Sequence, residues 1–289
     1  MGDSRTGGPE LGWVVAGVDG SADAMTAALW AAAEADRRGQ PLNLVHAMDT
    51  EGRDLYVSAE MMRNIRRTGN ALLEDAAAQV AQRFPGLRVT TELSPLEPSA
   101  GLHDVAGGHG TIVIGNRGLG GFTALLLGSV GLRVAAGAQG PVVVVRAAGE
   151  GVDKGVVLAA VRDRADLECV RHAARAAQLR TASLRLLSVR NVLHLGEIAQ
   201  EHEQQLREVA GRIHEEFPGL TVTEDIDKGS SVAGALVEAS RRADLLVMGG
   251  RRAPHGISPT LGRVTHAVLH HAHCPVELIP RVAKPAPTG

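Results

Sequence analysis

The sequence predicts an α/β protein made of two tandem domains, each an open parallel sheet of five strands with helices on both faces. Short apolar runs alternate with longer helical segments along the 289 residues, and this alternation is typical of parallel sheets with right-handed crossovers. The chain also repeats itself, because Phe84–Leu87 returns as Phe217–Leu220 with the same four letters. Two copies of one unit therefore account for most of the chain.

The elements of the first copy follow in order. Trp13–Val18 is a buried-strand run, and the alanine-rich stretch Ala22–Arg38, closed by Gly39, predicts a helix. The same criteria predict strands at Leu42–His46, Arg88–Glu92, Thr111–Ile114 and Val142–Arg146, and helices at Met61–Arg83, Ser99–Ala106 and Leu127–Ala136. The second copy repeats this pattern from Val156–Val161 to Val276–Ile279.

The repeat also predicts the domain boundaries. The small, glycine-containing and charged segment before the second copy is typical of a linker. We expect a disordered leader over 1–11, a first domain over 12–146, a linker over 147–154, a second domain over 155–281 and a tail over 282–289.

The composition excludes several classes of partner. Thirty Lys and Arg against 32 Asp and Glu give a net charge of −2, and only six residues are aromatic, so neither a basic field nor stacking platforms are available for nucleic acid. No stretch is long and apolar enough to span a membrane. Cys169 and Cys274 form no CxxC pair, which fits a reducing cytoplasm rather than a disulfide scaffold.

Asp19, Gly20 and Ser21 follow the first predicted strand, where ligands bind in open sheets of this type. Gly20 permits a tight turn and Ser21 can cap the next helix. Asp19 faces the ligand crevice or serves the same turn, because Asp is common in turns.

A glycine-rich loop follows the fourth predicted strand. It contains Gly115, Arg117 and Gly118, and Gly128 and Ser129 then open a helix. Exposed backbone amides, the positive end of the helix and the guanidinium group predict a site for a polyphosphate, with a plain glycine-rich turn as the alternative. The loop lacks the Gly-Lys-Ser/Thr of a P-loop and the spacing of a dinucleotide fingerprint.

Gly115-x-x-Gly118, followed after nine intervening residues by Gly128-Ser129, resembles the ATP-binding signature of universal stress proteins in every spacing. The two copies resemble the tandem form of that family. The resemblance implies the strand order 3-2-1-4-5 in each domain and a role in stress adaptation. It also implies that ATP, with Mg²⁺, is held by the first domain.

The resemblance further implies the place of each site residue. Asp19 and Ala47 would lie beside the adenine, with Gly115 and Gly118 near the ribose and phosphates. Gly128, Ser129 and Val130 would lie at the phosphates. Because the last strand pairs subunits in single-domain relatives, Val142–Arg146 and Val276–Ile279 are expected to face each other across a pseudo-two-fold axis within the chain, so that the two domains pack as a pseudo-dimer.

The second copy departs from this signature. Arg162 stands where the first copy has Asp19, while Arg252 and Arg263 replace Gly118 and Ser129. Bulky side chains at these positions predict loss of the nucleotide site in the second copy. The arginines receive another anion instead, face a partner or are simply solvated.

Several functions stay open at this stage. The leading interpretation is an ATP-binding regulator acting with an unknown protein partner, as a monomer or a homodimer. The alternatives are a slow ATPase or phosphotransferase that uses Asp19 and Mg²⁺, a nucleotide-independent interaction scaffold, and a cyclic-nucleotide binder. No catalytic residue and no protein metal site are predicted. The histidines of His270–Cys274 are too close in sequence to converge on zinc.

Overall fold

The computed structural model describes residues 11–51, 58–118, 127–146, 153–190, 197–228, 231–250 and 261–280, with backbone alone for 197–199. Most of the predicted leader, most of the linker and the whole tail lie outside the described residues. So do Arg252 and the middle of the glycine-rich loop, residues 119–126.

Strands and helices alternate through both repeats. The first repeat contains β1 (Val14–Gly17), α1 (Ala22–Arg38), β2 (Leu42–Ala47), α2 (Ala59–Arg83), β3 (Val89–Ser94), α3 (Pro98–Ala106), β4 (Thr111–Gly115), α4 (Ser129–Ala136) and β5 (Val142–Val145). The second contains β6 (Val156–Ala160), a short 3-10 helix (Arg164–Asp166), α5 (Leu167–Leu179), β7 (Ser183–Val189), α6 (Glu197–Glu216), β8 (Val222–Asp227), α7 (Val232–Ser240), β9 (Leu245–Gly249), α8 (Arg263–His271) and β10 (Val276–Ile279). The predicted elements of the first repeat are present, with ends that differ by at most two residues.

All ten strands form one sheet, in the order β3-β2-β1-β4-β5-β10-β9-β6-β7-β8. Each repeat has the predicted order 3-2-1-4-5, with parallel neighbours. The two last strands, β5 and β10, pair antiparallel, and Val143 lies opposite Glu277. The prediction that these edges face each other is therefore confirmed, and backbone hydrogen bonds across them join the repeats.

Local signals explain the ends of α1 and its packing. The Ser21 side chain accepts a hydrogen bond from the Ala24 amide, and Gly39 ends the helix with a left-handed φ of 61°, a conformation that glycine adopts without strain. Apart from Glu34, its buried side chains are small and let the helix approach the sheet closely: Ala24, Ala27, Ala28, Ala31, Ala32 and Ala35.

A buried cluster of charged groups joins the two repeats, and nothing in the sequence analysis predicted it. Glu34 of α1 binds Arg38 at 2.8 Å and Arg180, which follows α5, at 2.5 Å. Glu277 of β10 binds His172 of α5 at 2.8 Å. Burial raises the pKa of Glu277, but the charge and hydrogen bond of His172, helped by Arg38 and Arg180, outweigh it and lower this pKa to about 2.

Candidate functional site

A cavity of about 460 Å³ opens at the carboxyl ends of β1, β2 and β4, where the strand order of the first repeat reverses. This is the place where open α/β sheets bind ligands. The α4 helix begins at its rim. Eight of the ten predicted site residues line it: Asp19, Ala47, Gly115, Arg117, Gly118, Gly128, Ser129 and Val130.

The other two predicted residues, Gly20 and Ser21, form the turn beside the cavity. Gly20 has a φ of 86°, which favours glycine. The Ser21 amide donates to Asp19 Oδ1 at 2.9 Å, and its side chain caps α1. These bonds give both residues a role in holding Asp19 at the cavity.

Two of the signature glycines are required by the protein's own packing. A Cβ atom at Gly115 would lie 2.7 Å from the backbone carbon and oxygen of Asp23, at the start of α1. A Cβ atom at Gly118 would overlap Asp19 Oδ2. A larger residue at 118 would therefore displace the Asp19 carboxylate as well as cover the backbone.

Gly128 has no such explanation. It caps α4 with ordinary angles, a φ of −63° and a ψ of 159°, and makes no side-chain cap bond. Among the described residues, a Cβ atom there would have only the Asn116 carbonyl oxygen nearby, at 4.0 Å. Since neither the conformation nor the packing requires glycine, its effect is to leave the first amides of α4 open at the cavity rim.

Two buried polar atoms of the cavity wall have no hydrogen-bond partner among the described residues. They are Arg117 Nε, a donor, and Asn116 Oδ1, an acceptor. Burial and the nearby charge of Arg117 lower the pKa of Arg146, and Asp23 partly offsets the effect. Arg117 and the open α4 amides thus line the same cavity, in an arrangement that offers hydrogen-bond donors to an anion.

The sequence analysis missed Asn116, His46 and the apolar part of the wall. Asn116 is 8% exposed, and its place beside Arg117 was the available signal. His46 Nδ1 donates to the Val18 carbonyl at 2.8 Å, which orients the ring. The apolar end is formed by β2 and α3 side chains, including Val45, Pro98 and Leu102.

The second repeat has a cavity of about 440 Å³ at the equivalent place. Arg162 lines it where Asp19 lines the first, and it binds the buried Asp166 through two nitrogens, with Nη2 to Oδ1 at 2.9 Å. Arg263 takes the place of Ser129. The loss of nucleotide binding here stays a prediction, but the cavity itself is retained.

One side chain of the second repeat contacts the glycine-rich loop of the first. His270, near the end of α8 and 3% exposed, accepts a hydrogen bond from the Leu127 amide through Nδ1 at 2.9 Å. His270 Nε2 lies 3.1 Å from His266 Nε2. Because Nδ1 accepts, a neutral His270 carries its proton on Nε2 and donates it to His266.

Other classes of site find no counterpart in the described part of the chain. There, no three His, Cys, Asp or Glu side chains converge as metal ligands. Burial raises the pKa of the Cys274 thiol to about 12. None of the described helices is long and apolar enough to cross a bilayer.

Comparison with known proteins identifies the family. The profile of the Universal stress protein family matches residues 13–146 and 155–280. Universal stress protein Rv2624c of Mycobacterium tuberculosis is 29% identical over 289 residues, which cover 96% of this chain and 100% of the relative. A relative from Mycolicibacterium smegmatis is 26% identical, with 92% and 96% of the two chains covered.

A solved structure is similar over nearly the whole length. The universal stress protein from Archaeoglobus fulgidus DSM 4304 matches with a TM-score of 0.73, covering 93% of this chain and 96% of its own. At 17% identity this likeness supports the fold alone. The matched profile covers both repeats, and the chain therefore belongs to the universal stress protein family.

Proposed function

We propose that this protein binds ATP in the cavity of its first repeat and acts as a nucleotide-dependent regulator in stress adaptation. The observation that carries the proposal is the open start of α4 at Gly128, at the same cavity as Arg117 Nε, which has no partner among the described residues. An anion there would accept hydrogen bonds from the α4 amides and from Arg117 Nε. Phosphates bind at helix N-termini for the same reason, because free amides and the positive end of the helix dipole meet there.

The remaining wall fits the rest of a nucleotide. Asn116 Oδ1 can accept from a ribose hydroxyl. The apolar surface of Val45, Ala47 and Leu102 suits the faces of an adenine ring. The Asp19 carboxylate at the same edge can accept from an amino group.

Each group of the chain then has one task. The α4 amides, Ser129 and Arg117 hold the phosphates, while Asn116 and Asp19 orient the sugar and base. Mg²⁺ would enter with the triphosphate and neutralise part of its charge. The Asp19 carboxylate is already bound by the Ser21 amide, so we propose binding rather than rapid hydrolysis, with a slow ATPase as the alternative.

The experiment is a calorimetric titration of ATP into Gly128→Val and, as a matched control, Gly262→Val. Both glycines cap a helix with nearly the same angles, φ of −63° and −65°, so both variants bear the same capping cost. We expect Gly128→Val to weaken ATP binding at least about tenfold, because the variant loses one charge-assisted hydrogen bond of about 1.5–3 kcal/mol. Gly262→Val should leave this affinity unchanged.

Equal ATP affinity in Gly128→Val and the native protein would contradict the proposal. Titration with cyclic AMP distinguishes the cyclic-nucleotide alternative, and a single-turnover assay with the same variants tests hydrolysis. Protein that binds no nucleotide at all would favour the scaffold alternative. The cytoplasmic location, the regulatory partner and a homodimer belong to the proposal as well.

A further inference from the structure

The second repeat keeps a cavity of nearly the same size as the first, about 440 against 460 Å³, although its signature residues have changed. Protein interiors are close-packed, and a cleft without use is readily filled by larger side chains. We propose that this cavity is a second ligand site, which takes an organic anion with an apolar body in place of a nucleotide. The inference goes beyond the proposed ATP site and does not depend on it.

The charge of the cavity wall is the first argument. In the first repeat the described wall carries Asp19 and Arg117, whose charges cancel. In the second it carries Arg162 and Arg263. Asp166 neutralises Arg162, whereas Arg263 forms no ion pair with the described residues. The wall of the second cavity is therefore positive where that of the first is balanced.

The position of Arg263 is the second argument. It is exposed and is the first residue of α8, and the Gly262 cap makes no side-chain hydrogen bond. A cation at the positive end of a helix is unfavourable for the folded state. A residue that breaks this local rule is expected at a functional site. An anion bound between the guanidinium and the α8 amides would reverse the penalty.

Arg162 lines the cavity at the position of Asp19. Its Nη2 lies 3.4 Å from the Gly249 carbonyl, at the end of β9, and its guanidinium is held by Asp166. A donor here, in place of the Asp19 acceptor, gives the amino group of adenine no partner. The substitution therefore disfavours adenine, and the anion is left to Arg263 and the α8 amides.

Part of the cavity wall is aliphatic. By strand register, Leu187 and Val189 take the places of Val45 and Ala47. Val232, Leu236 and Met248 complete this part of the wall. The larger aliphatic side chains at the two register positions suit an aliphatic ligand body.

At His202 of α6 the wall of the second cavity differs from that of the first. Counted back from the shared Phe-Pro-Gly-Leu segment, it corresponds to Gly69, where a Cβ atom would lie 2.9 Å from the His46 ring. The second repeat has Ser188 in place of His46, which leaves room for the His202 ring. His202 Nδ1 is buried without a partner among the described residues.

Hexyl phosphate is the test ligand, titrated into the Gly128→Val protein so that anion binding in the first cavity is weakened. Hexanol and inorganic phosphate separate the two halves of the ligand. We expect one hexyl phosphate per chain, bound at least tenfold more tightly than either fragment. ATP should not compete for it.

The variants Arg263→Ala and Arg263→Lys locate the site, with Arg241→Ala as a control on the surface of α7. Arg263→Ala should weaken the binding of hexyl phosphate at least tenfold, and Arg263→Lys should keep most of this affinity. Without ligand, Arg263→Ala should melt slightly higher than its parent, because a cation leaves the helix N-terminus.

Three results would overturn the proposal. They are hexyl phosphate that binds no better than hexanol, binding that is unchanged in Arg263→Ala, and ATP that competes for this cavity. The ATP site of the first repeat is tested separately by Gly128→Val, so failure of one proposal is distinguishable from failure of the other.

Discussion

Replacing His270 by leucine should lower both the stability of the protein and its affinity for ATP. His270 Nδ1 is the acceptor for the Leu127 amide, and Leu127 directly precedes Gly128 at the rim of the first cavity. Both side chains are buried, at 3% and 4% exposure, so water cannot replace the lost acceptor without a rearrangement. The variant keeps a side chain of similar volume and removes the acceptor for the Leu127 amide together with the contact between His270 Nε2 and His266.

The magnitude follows from the cost of a buried donor without an acceptor, about 1–3 kcal/mol. With an unfolding entropy of about 2.1 cal/mol/K per residue, a loss of about 2 kcal/mol in 289 residues lowers the melting temperature by about 3 °C. If the loop relieves the strain by leaving its binding conformation, regaining that conformation costs a similar energy. If about 1.4 kcal/mol is needed to regain the binding conformation, the affinity for ATP falls about tenfold.

The assay is a thermal melt and an ATP titration on His270→Leu and His270→Asn. Asparagine offers an acceptor at a similar distance from the backbone, so it should recover much of the stability and affinity. Native behaviour of His270→Leu in both measurements would refute the role of this contact. Equal loss in both variants would assign the effect to packing of the ring instead.

Three further predictions concern the rest of the fold. The pKa of Glu277 is lowered to about 2, so the ionised carboxylate stabilises the folded protein by at most about 3 kcal/mol. This stabilisation is present above the ordinary pKa of glutamate and is lost as the pH falls towards 2. In urea unfolding measured against pH, Glu277→Gln should therefore flatten the stability curve in this range. Gly115→Ala should cost about 1–3 kcal/mol by overpacking, whereas Gly86→Ala, with nothing within 4 Å, should melt like the native protein. Cys274, with its pKa raised to about 12, should resist iodoacetamide at pH 8 until the protein is unfolded.

The fold was predictable because its signals are local. Strands such as Val142–Val145 are short apolar runs, and α1 begins at a Ser cap and ends at Gly39. Part of the cavity wall was predictable for the same reason, since Asp19, Arg117 and Gly118 follow directly after strands, whereas the apolar side chains of β2 and α3 carry no such signal. Gly20 and Ser21 form the turn that holds Asp19, and their contact with the ligand stays a prediction, because the sequence does not separate a turn that holds Asp19 from a turn that contacts the ligand.

The contacts between the repeats were not predictable from the same signals. His270 and Leu127 are 143 positions apart, and Arg180 and Glu34 are 146 apart, so neither pair forms a pattern in the sequence. One clue was available for Glu277. It interrupts an apolar strand at the position where the first repeat has Val143, and a charge there must find a partner.

The polar contacts across the pseudo-two-fold axis do not occur as symmetric pairs. Matching hydrogen bonds at the ends of α1 and α5, from Gln40 to Ala35 and from Ala182 to Ala177, make Arg38 and Arg180 equivalent. Glu34, which binds both, therefore corresponds to Ala176. Likewise, Ala136 takes the place of His270 in the first repeat.

In a homodimer each residue at the axis meets its own copy, so a charge pair or a histidine contact must occur twice or not at all. A single chain with two repeats has no such restriction, and each repeat can supply one member of a pair. His270 is such an asymmetric contact, because it lies in the second repeat and binds the glycine-rich loop of the first, where Ala136 takes its place. The second repeat is therefore more than a degenerate copy: the first depends on it for the geometry of the proposed ATP site, while its own cavity is released from the nucleotide signature.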